Sequence, residues 1–447
     1  MDSVKAVDYL LALAREHHLP DVDVMLERGE SLSVRVFRGR VEKLDQSATL
    51  GVGVRVVDQG RTGLAFTERL SESALETVFL AAKENARLMD PTEVVMAPPQ
   101  NPAGRPEDLE LYNPALESLK VEDLTRLALE IEALARQEDP RLAEVTSLGV
   151  SRSSGETRVV STHGLDTTQR ANRVGAYCQV LLKQGDFRKS GGHSWSRREW
   201  NPAEAAQTGP QAVRRGAALL GAAPLPHGPL AVVLDEHTAP QLLGMFFGAF
   251  SGEAAQKGQS PLKGRLGDQI GGKTVTLLDD PHRVGAGGSR WLDPEGIATR
   301  PLTLIQNGVF ANFLYHVESA RREGGLSTGH AGRSLGGGVS TRLHNLVMPL
   351  GGETVAQLAA MPTECLLVTD LEGGSGCNGL NGDISIGVQG ILYRDGQPVR
   401  PVDSVTIAGN FYDLLNHIQG VGNFYQPNLS SLFIPPLLVE GLVAAGE

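Results

Sequence analysis

Ile384-Ser385-Ile386-Gly387-Val388-Gln389-Gly390-Ile391-Leu392-Tyr393 and, after a turn, Val405-Thr406-Ile407-Ala408 decide how the second half of this chain folds. Both are rich in β-branched residues and bounded by glycine and other turn formers, which marks strands. Outward from them the same signature recurs at Thr274–Leu278, Leu302–Gln306, Val309–Leu314 and Cys365–Leu371. Strands at this spacing predict a curled, barrel-like and mostly antiparallel β body. A buried strand at Leu230–Leu234 and an apolar helix from about Thr238 to Phe250 open this unit. Residues 371–441 are dense in glycine, turn and strand signals, the texture that usually builds a site. Yet Leu242-Leu243-Gly244-Met245-Phe246-Phe247-Gly248-Ala249 offers no acid, base, nucleophile or metal ligand.

The first half has a different rhythm. Val4, Val7, Leu10, Leu11 and Ala14 recur at helical spacing. Strand patterns follow at Asp21–Glu27, Ser31–Phe37 and Val41–Asp45, with turns expected at Gly29 and Gly39. Gly51–Val57 and Thr62–Thr67 read as a hairpin, and a helix from about Ser71 to Leu88 has Ser71 as its N-cap. After a Pro-rich linker at 97–114, a helix at about Val121–Gln137, strands at Glu144–Ser151, Thr157–Ser161, Ala171–Leu182 and Phe187–Ser196, and a helix near Pro202–Leu220 repeat the scheme. The expected class is α+β, with antiparallel sheet flanked by helices in two N-terminal units. The expected domains are 1–100, 101–222 and a β-rich 223–447.

Composition narrows the function. A net charge of −11, from 41 basic and 52 acidic residues, argues against avid nucleic-acid binding. Three scattered cysteines, Cys178, Cys365 and Cys377, give no disulfide framework and fit a reducing, cytoplasmic setting. No apolar run approaches the ~18 residues that a membrane helix requires.

Several motifs match a pattern without its mechanism. Gly267-Asp268-Gln269-Ile270-Gly271-Gly272-Lys273-Thr274 satisfies the P-loop spacing, but a strand rather than a helix is expected after it. Gly374-Ser375-Gly376-Cys377-Asn378-Gly379 follows a strand, but turn residues and another strand come next, so a pyrophosphate would meet no helix N-terminus. No H-E-x-x-H or H-E-x-x-x-H occurs among the eleven histidines. His237 reads as a capping or surface residue, His316 as solvated, and Asp279-Asp280-Pro281 as a strand end that could also bind a cation.

Arg38-Gly39-Arg40-Val41-Glu42, Gly51-Val52-Gly53-Val54-Arg55-Val56, Gly382-Asp383-Ile384-Ser385, Val405-Thr406-Ile407-Ala408-Gly409-Asn410, Gly420-Val421-Gly422-Asn423 and Ile434-Pro435-Pro436-Leu437-Leu438-Val439-Glu440-Gly441-Leu442 together resemble the TldD/PmbA family. These are the paired bacterial and archaeal metalloproteases also called modulators of DNA gyrase. The resemblance implies a zinc motif, H-E-x-x-x-H, on the helix after the first C-terminal strand of TldD-like members, plus a metal-binding Cys in a late Cys-Gly-Lys stretch. Here the six motif positions fall approximately on Gly244, Met245, Phe246, Phe247, Gly248 and Ala249, and Phe424–Phe433 contains no Cys. The resemblance therefore implies the PmbA (TldE-like) branch. Such a chain binds no zinc itself and pairs with a zinc-bearing TldD-like subunit in a cytoplasmic protease of unfolded or leader peptides. No catalytic residue and no metal ligand can be assigned. The substrate would be an extended peptide added as a strand, with Gly376, Cys377, Asp383 and Asn410 as groove candidates. Two other readings stay open: a self-pairing, homodimeric peptide-binding scaffold without proteolysis, and an enzyme with an unrecognised site around Cys377 and Asp383.

Overall fold

The computed structural model describes residues 2–92 and 94–446. Two copies of an αβββα unit fill the first half. The first is α1 (Ser3–Glu16), β1 (Asp21–Phe37), β2 (Arg40–Asp58), β3 (Arg61–Thr67) and α2 (Glu72–Arg87). The second is α3 (Val121–Glu138), β4 (Leu142–Ser161), β5 (Asp166–Gln184), β6 (Phe187–Arg197), the short α4 (Pro202–Ala206) and α5 (Thr208–Ala218). Their six strands form one antiparallel sheet in the order β3-β2-β1-β4-β5-β6. The two units are joined by β1 against β4, from Asp23 opposite Ser161 to Arg35 opposite Gly149. One sheet thus runs across the boundary expected near residue 100.

These strands are longer than their patterns suggested. β1 is a single 17-residue strand, and Gly29 is paired with Thr49 and Gly155 inside it rather than turning the chain. The reason is that β1 serves two cores. Val22, Val24 and Leu26 pack with α1 and α2, whereas Leu32, Val34 and Val36 pack beneath α3. Between them the strand crosses a stretch, Glu27–Ser31, covered on neither face, so alternation lapses although the hydrogen-bond ladder continues. β4 spans the same gap through Arg152–Glu156. Helix starts were easier to read: the Ser71 hydroxyl accepts the Ala74 amide at 3.3 Å, as its capping role predicts.

Each unit brings its last helix onto its edge strand through glycine. A Cβ on Gly63 of β3 would lie 1.9 Å from the Ala82 carbonyl oxygen and 2.3 Å from the Ala86 nitrogen of α2. A Cβ on Gly191 of β6 would lie 2.2 Å from the Ala212 oxygen and 2.5 Å from the Gly216 nitrogen of α5. The missing side chains let helix and strand backbones touch.

The second half begins with β7 (Gly228–Leu234) and α6 (Thr238–Gly244), followed by β8 (Leu277–Asp279), β9 (Leu302–Gln306) and β10 (Val309–Phe310). A small hairpin follows, β11 (Ala331–Ser334) and β12 (Gly337–Thr341), then β13 (Leu346–Val347) and β14 (Glu364–Glu372). The chain finishes with β15 (Asp383–Arg394), β16 (Gln397–Asn410), β17 (Ile418–Val421), β18 (Leu432–Phe433) and β19 (Leu437–Gly446). β16, β15, β14, β7 and β19 pair in that order, and β19 pairs back onto β16 from Val443 opposite Ala408 to Gly446 opposite Val405. The ring is therefore a closed five-stranded barrel, antiparallel except for β7 with β14. β10-β9-β8-β13-β18 make a second sheet beside it. This is the curled, mostly antiparallel body expected from the sequence, and the whole is α+β. Among the described residues no helix is long and apolar enough to cross a membrane.

The sheet docks on this body through buried charge. Asp23 of β1, 2 % exposed, receives Arg55 from β2 at 2.6 Å and Arg333 from β11 on its other oxygen. Arg55 also reaches Glu295 at 3.6 Å. Burial pushes Glu295 up to about 7 and Arg333 down to about 9. Two substitutions probe these contacts. Gly63→Val should lower the urea midpoint by the equivalent of ~2 kcal/mol, because the backbones must separate. Asp23→Ala should cost ~3–5 kcal/mol, because Arg333 is left buried without a counter-charge and Arg55 keeps only Glu295 at 3.6 Å; a normal urea midpoint would contradict the docking role.

Candidate functional site

The helix expected over Thr238–Phe250 is broken. α6 stops at Gly244, and Phe247–Phe250 form a separate 3₁₀ turn. Glycines at 244 and 248 weaken a continuous helix, and the phenylalanines between and after them are drawn inward. Phe246 stacks on Phe411 with ring centroids 4.8 Å apart, Phe247 meets the same ring edge-on at 6.4 Å, and Phe250 lies 5.9 Å from Phe310. Ala249 is buried with them. Gly244 is half-buried, and a Cβ there would touch Leu432 at 3.0 Å. Gly244, Met245 and Ala249 thus offer only hydrogen, thioether and methyl in a hydrophobic core. These groups do not fit a zinc ion, which takes imidazole, carboxylate or thiolate.

The loop expected to be functional covers this segment. A Cβ on Gly374 would lie 2.9 Å from the Met245 methyl, and one on Gly379 would lie 3.1 Å from the Met245 carbonyl oxygen. Gly376 sits against β15, where a Cβ would come within 2.1 Å of the Ser385 oxygen. The Cys377 amide donates to the Gly374 oxygen at 3.0 Å, and its half-buried side chain packs on the barrel core. Asp383 and Asn410 are cross-strand partners at the ends of β15 and β16. The Asn410 amide donates to the Asn381 oxygen at 3.0 Å and reaches Asp383 at 3.4 Å. The four groove candidates therefore lie on one loop and the strand ends beneath it. No helix follows the loop, so the dinucleotide pattern has no anion site, and no helix follows Gly267–Thr274 either.

An open volume lies beside α6. A cavity of about 1040 Å³ separates β6 of the N-terminal sheet from the barrel body. Its N-terminal wall is Ser190–Arg197 of β6, and the opposite wall includes Asp235, His237, Gln241 and Asp370. β6 is an edge strand: among the described residues its outer side has no partner strand and bonds to the loop after β17, where Asn428 accepts the Ser196 amide at 3.0 Å and donates to the Ser194 oxygen at 2.8 Å. His193 and His237 face each other across the cavity with rings perpendicular and centroids 6.2 Å apart. Burial, with the Arg215 and His237 charges nearby, holds His193 down to about 4; burial and Arg215 also lower His237. Asp235 is shifted upward by burial and by Glu236. It caps α6, accepting the His237 amide at 2.9 Å and the Thr238 amide at 2.8 Å. His237 itself makes no side-chain cap. The groove thus combines free strand backbone with neutral imidazoles, carboxylates and guanidinium groups.

Tertiary structure also assembles groups that were distant in sequence. Asp279, His330 and His344 form the only described group of three His, Cys, Asp or Glu side chains whose ligand atoms lie within 4.8 Å of one another. Asp279 does end a strand, as its sequence suggested. It accepts His330 Nε2 at 2.6 Å and the His344 amide at 3.1 Å, while His344 Nε2 donates to the Gly329 oxygen at 2.8 Å. These bonds tie the end of β8 to two loops in the core. His316, expected to be solvated, is 2 % exposed: its ring is held by Thr341 at 3.1 Å and Ser319 at 3.0 Å at the start of a short helix. No local pattern marks either case, because the partners come from separate segments.

The comparisons agree with this architecture. Residues 22–86 match the PmbA/TldA metallopeptidase domain 1, 114–220 its central domain and 227–446 its C-terminal domain. Metalloprotease PmbA of Escherichia coli O157:H7 is 26% identical over 94% of this chain and 92% of its own length. The Metalloprotease PmbA homolog of Haemophilus influenzae is 27% identical over 99% and 96%. Among solved structures, a Thermotoga maritima protein described as a candidate modulator of DNA gyrase superposes with a TM-score of 0.89 at 26% identity, covering 99% of this chain and 100% of that one. TldE from Thermococcus kodakarensis has the same fold, with a TM-score of 0.86 at 23% identity and coverage of 98% and 100%. With its three successive domains matched and its barrel intact, the chain belongs to the PmbA/TldD metallopeptidase family.

Proposed function

We propose that this chain is the metal-free partner subunit of a heteromeric TldD/PmbA-type zinc metalloprotease, holding an extended peptide while a TldD-like subunit carries the zinc and the chemistry. The observation that carries this reading is the replacement of the motif positions by Gly244, Met245 and Ala249 within a core where Phe246 stacks on Phe411. None of these three positions offers an imidazole, carboxylate or thiolate, which supports the metal-free reading. The peptide-holding part draws support from β6, an edge strand facing a cavity of about 1040 Å³. An added strand recognises backbone, so unfolded or leader peptides of varied sequence suit it. Placing the enzyme in the cytoplasm follows from the free cysteines and the family resemblance.

The test is reconstitution. The purified chain should carry substoichiometric zinc by mass spectrometry and digest no peptide alone. It should co-purify with a TldD-like chain, and digestion by the mixture should be lost when the partner's motif histidines are changed. Stoichiometric zinc on this chain, or digestion by it alone, would overturn the reading; a stable homodimer that never pairs would favour the scaffold alternative.

The groove histidines add a pH expectation. An unfolded His193 takes up a proton near 6.5, whereas the folded residue resists until about 4. Its contribution to stability is therefore complete above 6.5 and is lost as pH falls through that window. His193→Gln should make the fall in urea midpoint between pH 6.5 and 4 less steep, and an unchanged slope would show that its imidazole is not held neutral.

A further inference from the structure

A second groove of about 720 Å³ lies between β4 and β5 of the N-terminal sheet and the loops of the barrel body. Arg173, Arg198, Arg290 and Arg342 line it, with Ser153, Ser430 and Ser431 among its hydroxyls, and no lining residue is acidic. This is unusual in a chain of net charge −11. It is more unusual that none of the four guanidinium groups has a carboxylate within 4.0 Å among the described residues. Arg198 is spent on backbone, donating to the Leu111 oxygen at 2.7 Å, the Asn172 oxygen at 2.6 Å and the Gly285 oxygen at 3.1 Å. Arg290 keeps a buried Nε with no partner. Arg173 and Arg342 are exposed at the rim, and the one side-chain bond of Arg173 is a 3.4 Å contact to Ser153.

The carboxylates close enough to act on Arg290 are Asp279 and Asp293. Both are already taken, Asp279 by His330 and the His344 amide, Asp293 by the amides of Glu295, Ile297 and Ala331. Glu117 and Glu156, in an adjoining cleft, are paired with Arg152 and Arg170. Glu30, which also lines that cleft opposite Ser154, forms no ion pair among the described residues, yet no carboxylate lies within 4.0 Å of the four guanidinium groups. Clustered guanidinium groups match planar oxyanions such as carboxylates, which they bind through paired N–H donors.

Leu429 lines both this groove and the cavity along β6, so the two are neighbours on one loop. We infer that the arginine groove receives the carboxylates of an acidic segment of the peptide held by this subunit, so that the chain selects for Asp- and Glu-bearing substrates. This rests on the peptide-holding role proposed above and supplies the charge preference that backbone recognition lacks.

The test is fluorescence anisotropy on the full chain at low salt with three labelled extended peptides: one carrying several Glu residues, its Glu→Gln counterpart and a Lys counterpart. The acidic peptide should bind at least about tenfold more tightly than the Gln form. Arg173→Gln with Arg342→Gln should remove that advantage and leave the affinity of the Gln form unchanged. Both residues are exposed, and circular dichroism checks that the fold survives. Arg126→Gln, on the exposed face of α3, should leave the preference intact. Equal binding of the acidic and Gln peptides would overturn the inference while leaving the peptide-holding role standing. Binding of no peptide would overturn both. Inorganic phosphate binding in the groove without acidic-peptide binding would reassign it to a free oxyanion.

Discussion

Asp23 is a buried charge that joins the N-terminal sheet to the barrel body. Its carboxylate is buried and takes a guanidinium group on each oxygen, Arg55 from its own sheet and Arg333 from β11. Both clefts considered above lie between that sheet and that body. If the sheet moved by a fraction of its strand spacing, β6 would leave Asp235–His237 and the arginines of the second groove would separate. A buried ion pair is a poor source of net stability, because desolvation offsets attraction, but its geometry is demanding. The cluster is also incompletely satisfied, since Arg333 retains Nε and Nη2 without partners. Such a contact fixes orientation more than it strengthens folding.

The sheet is suited to this role because its halves are continuous. β1 and β4 pass between two hydrophobic cores without a break, so α1 and α2 on one side and α3 and α5 on the other are tied by backbone hydrogen bonds rather than by a linker. Gly63 and Gly191 draw the last helix of each unit onto its outer strand. That leaves the outer side of β6 as the free ladder facing the barrel. The same construction on β3 places α2 against the strand, where Thr67 pairs with Val52.

What could be read from the sequence divides along physical lines. Ser71 was legible as a cap because capping needs one side chain and an amide three residues away. The barrel was legible because glycine turns and β-branched runs are local, and a barrel of short strands repeats them. Gly29 misled because glycine marks both turns and close strand approaches, and only the neighbours at Thr49 and Gly155 distinguish the two. The histidines were least legible. His316 looked solvated beside Glu318, yet Thr341 closes over it; His330 and His344 carried no signal at all, because Asp279 is far from both in sequence. The arginine groove was hidden for the same reason, since its four members come from four segments and none forms a basic run.

The misfit of Gly244, Met245 and Ala249 to a metal ion goes deeper than three side chains. Two imidazoles can share one ion from a helix only when the helix is continuous and both project from one face. Here Gly244 is the last residue of α6 and Ala249 lies in a separate 3₁₀ turn, so the two outer motif positions occupy different elements. Between them Phe246 is committed to Phe411, and Met245 lies beneath Gly374 and Gly379, which approach too closely for a larger neighbour. Histidine at 249 would replace a methyl group that is 1 % exposed and would have to bury an imidazole among phenylalanines. The aromatic core and the glycine loop therefore pack on each other through Met245 and Phe246, and together they give this segment a structural task.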